Sequence, residues 1–279
     1  MGSFNGSLKS FTAPQLGTFA LKHALESKQI DPAIVEEVFF GNVVQAGVGQ
    51  SPARQVGLSA GLKTSSDATT INKVCASGMK SIILAAQSIR SGDRSVVVAG
   101  GMESMSNAPF VKNSFQIRVV YQLFMSRFLL PRQNPLFGKF QTIDSLEHDG
   151  LWDVFNNFAM GNCAESAGLK YEISRESQDE HAIESYKRAE RAWNAGVFDA
   201  EVVPITVKGK KGDTVVREDE EYKRVIFDKI PSLKSAFKQG GTITAANSSP
   251  LSDGGSALVL MSAQKASELG LQPLAKVIC

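Results

Sequence analysis

The feature that most constrains this chain is an unbroken apolar run, RSVVVAGGMES at 94–104, set directly behind a helix-patterned stretch, ASGMKSIILAAQSIRSG at 76–92. A strand with one wet face alternates apolar and polar residues. This run does not, so it predicts a strand covered on both faces. Just upstream, TTINKVC (69–75) is β-branched and predicts another strand. Strand, helix and strand in that order imply a right-handed crossover and a layered α/β domain.

The flanking segments fit that plan. Residues 14–28 predict a helix with Leu16, Phe19, Ala20 and Leu25 on one face and Pro14 in its first turn. VEEVFFGNVV (35–44) predicts a short strand ended by Gly41 and Asn42, and a glycine-rich loop from 47 leads into a helix after Pro52. Helical periodicity returns at 159–170 and 174–196, the second with Ser174, Ser177 and Gln178 at a capped start. VVPITV (202–207) predicts a strand, and the charged 208–225 a solvated hairpin or loop. Residues 242–270 predict a turn-rich loop, a strand SALVLMS and a short helix, and 271–279 the opening of a further strand. Residues 114–137 are aromatic, basic and apolar at once, the pattern of a buried helix or strand without a polar face.

Composition narrows the function classes. The chain has 279 residues, 43% of them hydrophobic, enough for one large domain or two modest ones. Its net charge of +2, with no basic stripe, leaves no electrostatic footprint for nucleic acid. No apolar run has the length of a membrane span, and the first residues carry neither a signal-peptide nor a transit-peptide pattern. Three cysteines (Cys75, Cys163, Cys279) without a CxxC pair, and three histidines (His23, His148, His181), argue against structural zinc and for a reducing compartment.

The chemistry concentrates in NKVCASGMKS (72–81), which places Cys75 where a strand gives way to a helix. Free N–H groups at a helix start favour a thiolate, and a thiolate can attack a thioester carbonyl to give an acyl-enzyme. Ser77 and Gly78 are small enough to let a substrate approach the backbone. Read from the residues alone, a lone cysteine such as Cys75 is more commonly a small buried hydrophobe.

INKVCASGMKSI together with VVVAGGMESMSNAPF (96–110) resembles the nucleophile region of the thiolase family. MGNCAE (160–165), EDEEYKRV (218–225) and TITAANSSPLSDGGSALVLMS (242–262) are similar to later segments of the same family, in the same order. The likeness is to the short-chain, mitochondrial, potassium-responsive branch, and it spans nearly everything outside 114–137. It implies the N-terminal half of a layered α-β-α thiolase core (1–111 and 242–270), an inserted loop domain (112–241), and the start of a further core domain (271–279). It implies reversible condensation of two acetyl-CoA to acetoacetyl-CoA and coenzyme A through an acyl-thioester on Cys75, with no covalent cofactor.

Met160 would line the acyl pocket, with Asn162 and Cys163 beside it. Tyr186, Arg224, Lys229 and Ser249 would contact coenzyme A, and Tyr186, Ala245, Ala246 and Ser248 would hold a potassium ion, partly through carbonyls. Outside the resemblance, Arg224 and Lys229 read as solvated charges, Tyr186 as a helix-face residue, Met160 as a gap-filler and AANSSPLSDGG as a plain turn. A homodimer or homotetramer in mitochondria would follow, with the cytoplasm as the alternative compartment and GQSPARQ (49–55) as a subunit contact.

Three departures accompany the likeness. The family's first strand precedes the GSF at 2–4, the stretch 114–137 replaces a shorter loop, and the N-E-A-F, G-H-P and C-x-G-G segments that carry the family's histidines and second cysteine do not occur. The sequence therefore also admits a non-catalytic truncated form, or an acyl-CoA-binding or subunit-interaction module.

Overall fold

A computed structural model describes residues 1–111, 142–210 and 212–278, and in it the apolar run becomes the central strand of a mixed sheet. The sheet is built from β1 (Gly2–Ser3), β2 (Glu37–Gly41), β3 (Asp67–Ile71), β4 (Val96–Ser104) and, far along the chain, β11 (Ser252–Met261). Their spatial order is β1-β11-β4-β2-β3. β2 runs parallel to β3 and β4, and β11 runs antiparallel to β4 and β1. Val98 of β4 faces Val38 on one side and Val259 on the other.

Helices α1 (Ala13–Glu26) and α2 (Pro52–Ser59) cover one face of the sheet, and α3 (Ser77–Arg90) covers the other. Alternate residues of β4 explain the missing polar face. Val96, Val98 and Met102 pack with Leu21 and Leu25 of α1, Val56 of α2 and Phe40. Val97 and Ala99 turn the opposite way, to Ile82 and Ala85 of α3 with Phe39. Each fully buried large apolar side chain contributes roughly 1.5–3 kcal/mol. The chain steps outward from β2 to β3 and then back past β2 to β4. Crossovers of one hand taken in opposite directions put α2 and α3 on opposite faces.

Between β4 and β11 the described chain forms smaller units. β5 (Phe110–Val111) pairs with β6 (Ile143–Asp144), and a π-helical turn (Glu147–Leu151) leads to the hairpin of β7 (Trp152–Asp153) and β8 (Phe158–Ala159). Helices α4 (Met160–Lys170) and α5 (Arg175–Asn194) follow. Next come the β9–β10 hairpin (Ile205–Val207 with Thr214–Val216) and a short α6 (Glu221–Arg224), and α7 (Ala263–Glu268) succeeds β11. The α5 cap is the expected one, with the Ser174 hydroxyl accepting from the Ser177 N–H at 3.1 Å. No helix among the described residues is long and apolar enough to cross a membrane.

Five expectations change. β3 ends at Ile71 rather than running to Cys75, because 72–76 curl into a turn. The strand expected at 202–207 covers only Ile205–Val207. β11 opens at Ser252, inside the stretch that reads as a turn. The reason is close packing: a methyl group on Gly255 would sit 2.7 Å from the Leu16 carbonyl of α1, so the glycine serves contact, not reversal. Residues 271–278 form no strand, and the Arg90 guanidinium instead holds the Val277 and Ile278 carbonyls at 3.2 and 3.0 Å. At the front, where no strand was expected, Gly2 and Ser3 pair with Asp253 and Ser252. The reading of 114–137 lies outside the described residues.

Candidate active site

Cys75 is solvent-exposed, which removes the reading of a packed, inert thiol. It lies beyond the carboxyl end of β3 and one residue before Ala76, the N-cap of α3. Ligands of open α/β sheets gather in this zone. The turn that presents it is tightly specified. Asn72 accepts the Val74 N–H on its side-chain oxygen at 3.0 Å, and Ser77 Oγ accepts the Lys73 N–H at 2.9 Å while donating to the Val74 carbonyl at 2.6 Å. Val74 itself has φ +48°, a left-handed conformation that a β-branched residue adopts only under strain. The sulfur thus follows a strained residue clamped from both sides.

A part-buried carboxylate supports this turn. Glu103, on β4, accepts from Asn42 Nδ2 at 2.7 Å and from the Val43 and Val44 N–H groups at 2.8 and 3.2 Å. Burial pushes its carboxyl above the usual range, and those three hydrogen bonds oppose the rise without cancelling it. The Val43 carbonyl then accepts from Asn72 Nδ2 at 3.3 Å, so the chain of contacts runs from Glu103 to the Cys75 turn. Gly41 lets α3 reach the sheet, since a methyl group there would lie 2.8 Å from the Gly78 nitrogen. The Ser81 hydroxyl fastens the same helix to the Gly100 carbonyl at 2.8 Å.

The other expected residues lie on α5, α6, the Phe227–Ser232 turn, the 244–249 loop and α4. Tyr186 is half-buried on it, and burial, then the nearby Glu221 charge, raise its phenol above the ordinary value and keep its proton in place. Arg224 is exposed and pairs with Glu221 at 3.6 Å. Lys229 is exposed on the 3₁₀ turn Phe227–Ser232, whose Ile230 is fully buried. Ser249 is exposed at the end of the 244–249 loop. Met160 opens α4 with 39% of its surface accessible. In the following turn, Asn162 donates to the Phe237 carbonyl at 3.2 Å and Cys163 is half-buried. No hydrogen bond among the described residues joins Cys75 to this second group.

The loop around Ala245, Ala246 and Ser248 fits a cation with oxygen ligands. Asn247 accepts the Thr244 N–H at 2.7 Å, and the Ser248 hydroxyl donates to the Thr244 carbonyl at 2.6 Å. These bonds fold the loop while the carbonyls of Ala245, Ala246 and Ser248 accept none among the described residues. Neutral carbonyls suit a weakly held monovalent ion better than a transition metal. Among the described residues no cluster of His, Cys, Asp and Glu could hold a metal.

Among the described residues, none of the three histidines hydrogen-bonds to Cys75's turn. His23 is in the last turn of α1, His148 pairs with Asp149 at 2.9 Å, and His181 is exposed on α5. The supports that sequence reading overlooked are Asn72, Glu103, Asp179 and Asn247. Asn72 was findable as a turn-forming Asn two residues before Val74, and Asp179 as an i, i+4 partner of Arg175. Glu103 and Asn247 give no local signal.

A mixed sheet layered between helices carries an exposed cysteine at the sheet end of α3. The family model for the thiolase N-terminal domain matches residues 1–264, and the chain belongs to that family. Among curated relatives it is 51% identical to acetyl-CoA acetyltransferase B, mitochondrial, of Xenopus laevis over 100% of this chain, and 50% identical to the mouse acetyl-CoA acetyltransferase, mitochondrial, over 99%. It spans 62% of the length of each. Among solved structures, the Acat5 thiolase of Ascaris suum in complex with coenzyme A superposes with a TM-score of 0.86 at 43% identity, over 100% of this chain and 67% of that one. The acetyl-CoA acetyltransferase of Syntrophomonas wolfei gives 0.87 at 35% identity, over 98% and 65%.

Proposed function

We propose that Cys75 accepts an acetyl group from acetyl-CoA, the first half of reversible thiolase condensation to acetoacetyl-CoA. The observation that carries this is the exposed thiol on its strained, doubly clamped turn at the start of α3. The Cys75 thiolate attacks the thioester carbonyl, a new carbon–sulfur bond forms, and coenzyme A leaves as its thiolate. The α3 N–H groups favour negative charge beside the reacting atoms. The second half needs a base at the α-carbon. Among the described residues, none of His23, His148 and His181 is hydrogen-bonded to the Cys75 turn.

Arg224 and Lys229 suit the phosphates of coenzyme A as exposed cations, with Tyr186 and Ser249 as further contacts and Met160 against the acyl group. A potassium ion on Tyr186, Ala245, Ala246 and Ser248 would stiffen that loop and supply positive charge near the nucleotide. The mitochondrial names of the relatives support that compartment for this chain, and subcellular fractionation tests it.

Incubation with radiolabelled acetyl-CoA followed by peptide mass spectrometry tests the proposal. Label on Cys75, absent in Cys75→Ser, is the expected result. Label elsewhere, or none, sinks the idea. Acetoacetyl-CoA thiolysis by the same sample separates a complete catalyst from one that performs the acetyl-transfer step alone.

A further inference from the structure

Asp179 is a buried carboxylate, 5% exposed, and none of its hydrogen bonds runs to the Cys75 turn. One of its oxygens accepts from Arg175 Nε at 2.7 Å, and the other accepts from Asn247 Nδ2 at 2.9 Å. Arg175 extends the chain at its far end, donating to the carbonyls of Ile230 and Leu233 at 3.0 and 3.1 Å. Those two carbonyls shape the turn that carries Lys229. Asn247 works at the other end, donating also to the Thr242 carbonyl at 3.0 Å and accepting the Thr244 N–H at 2.7 Å. It thereby sets the loop of Ala245, Ala246, Ser248 and Ser249. Tyr186 stands seven residues beyond Asp179 on α5, which places it on the same helix face.

We infer that Arg175, Asp179 and Asn247 are positioning residues, a relay that locks the Lys229 turn and the 244–249 loop into one arrangement able to grip coenzyme A. This rests on the coenzyme A reading of those segments. An ion pair sunk this deeply contributes little net stability over an apolar pair of the same shape, so its use is geometric. Its hydrogen bonds among the described residues all run to backbone or to one another. The relay acts through the segments it holds.

Calorimetric titration of coenzyme A into the full chain tests this, using wild type, Asp179→Asn, Asn247→Ala and the double variant, each in potassium and in sodium chloride. Each single change should weaken affinity about tenfold, the usual size of such coupling, and the double should lose no more than either single. The iodoacetamide reaction of Cys75, on separate elements, should stay within about twofold of wild type. Penalties that multiply in the double variant, or a parallel change at Cys75, would overturn the relay. Wild-type binding with unchanged variants removes the relay alone. A wild type that binds no coenzyme A removes the underlying reading and the relay together.

Discussion

Val74 is where local geometry meets chemistry. Its φ of +48° costs about 1–2 kcal/mol for a residue with a β-carbon, and Asn72 and Ser77 hold it there. Glycine takes that conformation freely but loses more chain entropy on folding, about 0.5–1 kcal/mol. Val74→Gly should therefore be as stable as wild type or about 0.5 kcal/mol more stable in urea denaturation. Its Cys75 should acetylate several-fold more slowly, because the turn no longer holds the sulfur in one place. Lower stability with unchanged acetylation would show that Val74 is not under strain. The cysteine and its small neighbours were legible in NKVCASGMKS. The strain was not, since nothing in a Lys-Val-Cys sequence marks a positive φ.

At the level of elements, the Cys75 turn is set by α3, which presses on the sheet end. Gly41 permits the approach, leaving no room for a methyl group against Ser77 and Gly78. Gly41→Ala should force β2 and α3 apart and cost about 1–3 kcal/mol, read from the urea midpoint. A variant as stable as wild type would mean that the contact is loose. The helices at 14–28, 76–92, 159–170 and 174–196 were legible because their apolar spacing and caps are local. β11 was readable only in part. Its Asp-Gly-Gly opening has the composition of a turn, and only the α1 backbone lying over Gly255 makes it a strand.

Across the whole molecule, distant segments are fastened by single carboxylates. Glu220 accepts from the Ser3 and Ser7 N–H groups at 2.7 and 3.2 Å, joining the 218–225 segment to the front of the chain. Glu165 of α4 accepts from the Thr242 and Ile243 N–H groups at 2.9 Å each. Burial works against ionisation of Glu165, but the hydrogen bonds from Thr242 and Ile243 together outweigh it and hold the carboxyl below its ordinary 4.5. Its contribution to stability is then fully present above pH 4.5 and is lost as pH falls through the lower folded value. Glu165→Gln should be less stable than wild type at pH 7, with the gap closing in more acid solution. A gap independent of pH, measured by urea denaturation at several pH values, would contradict this.

The sequence by itself determined the layered α/β class, the order of the main helices and strands, and the cysteine at a strand-to-helix junction. These rest on periodicity, caps and β-branching, which act over a few residues. The tertiary structure decided what holds the site. It sets Glu103 to support the Cys75 turn and Asp179 between the Lys229 turn and the 244–249 loop, and it completes the sheet with β11 from the far end of the chain. Buried hydrogen bonds and sheet pairing join residues scores of positions apart, and their partners are chosen by packing rather than by neighbours in sequence.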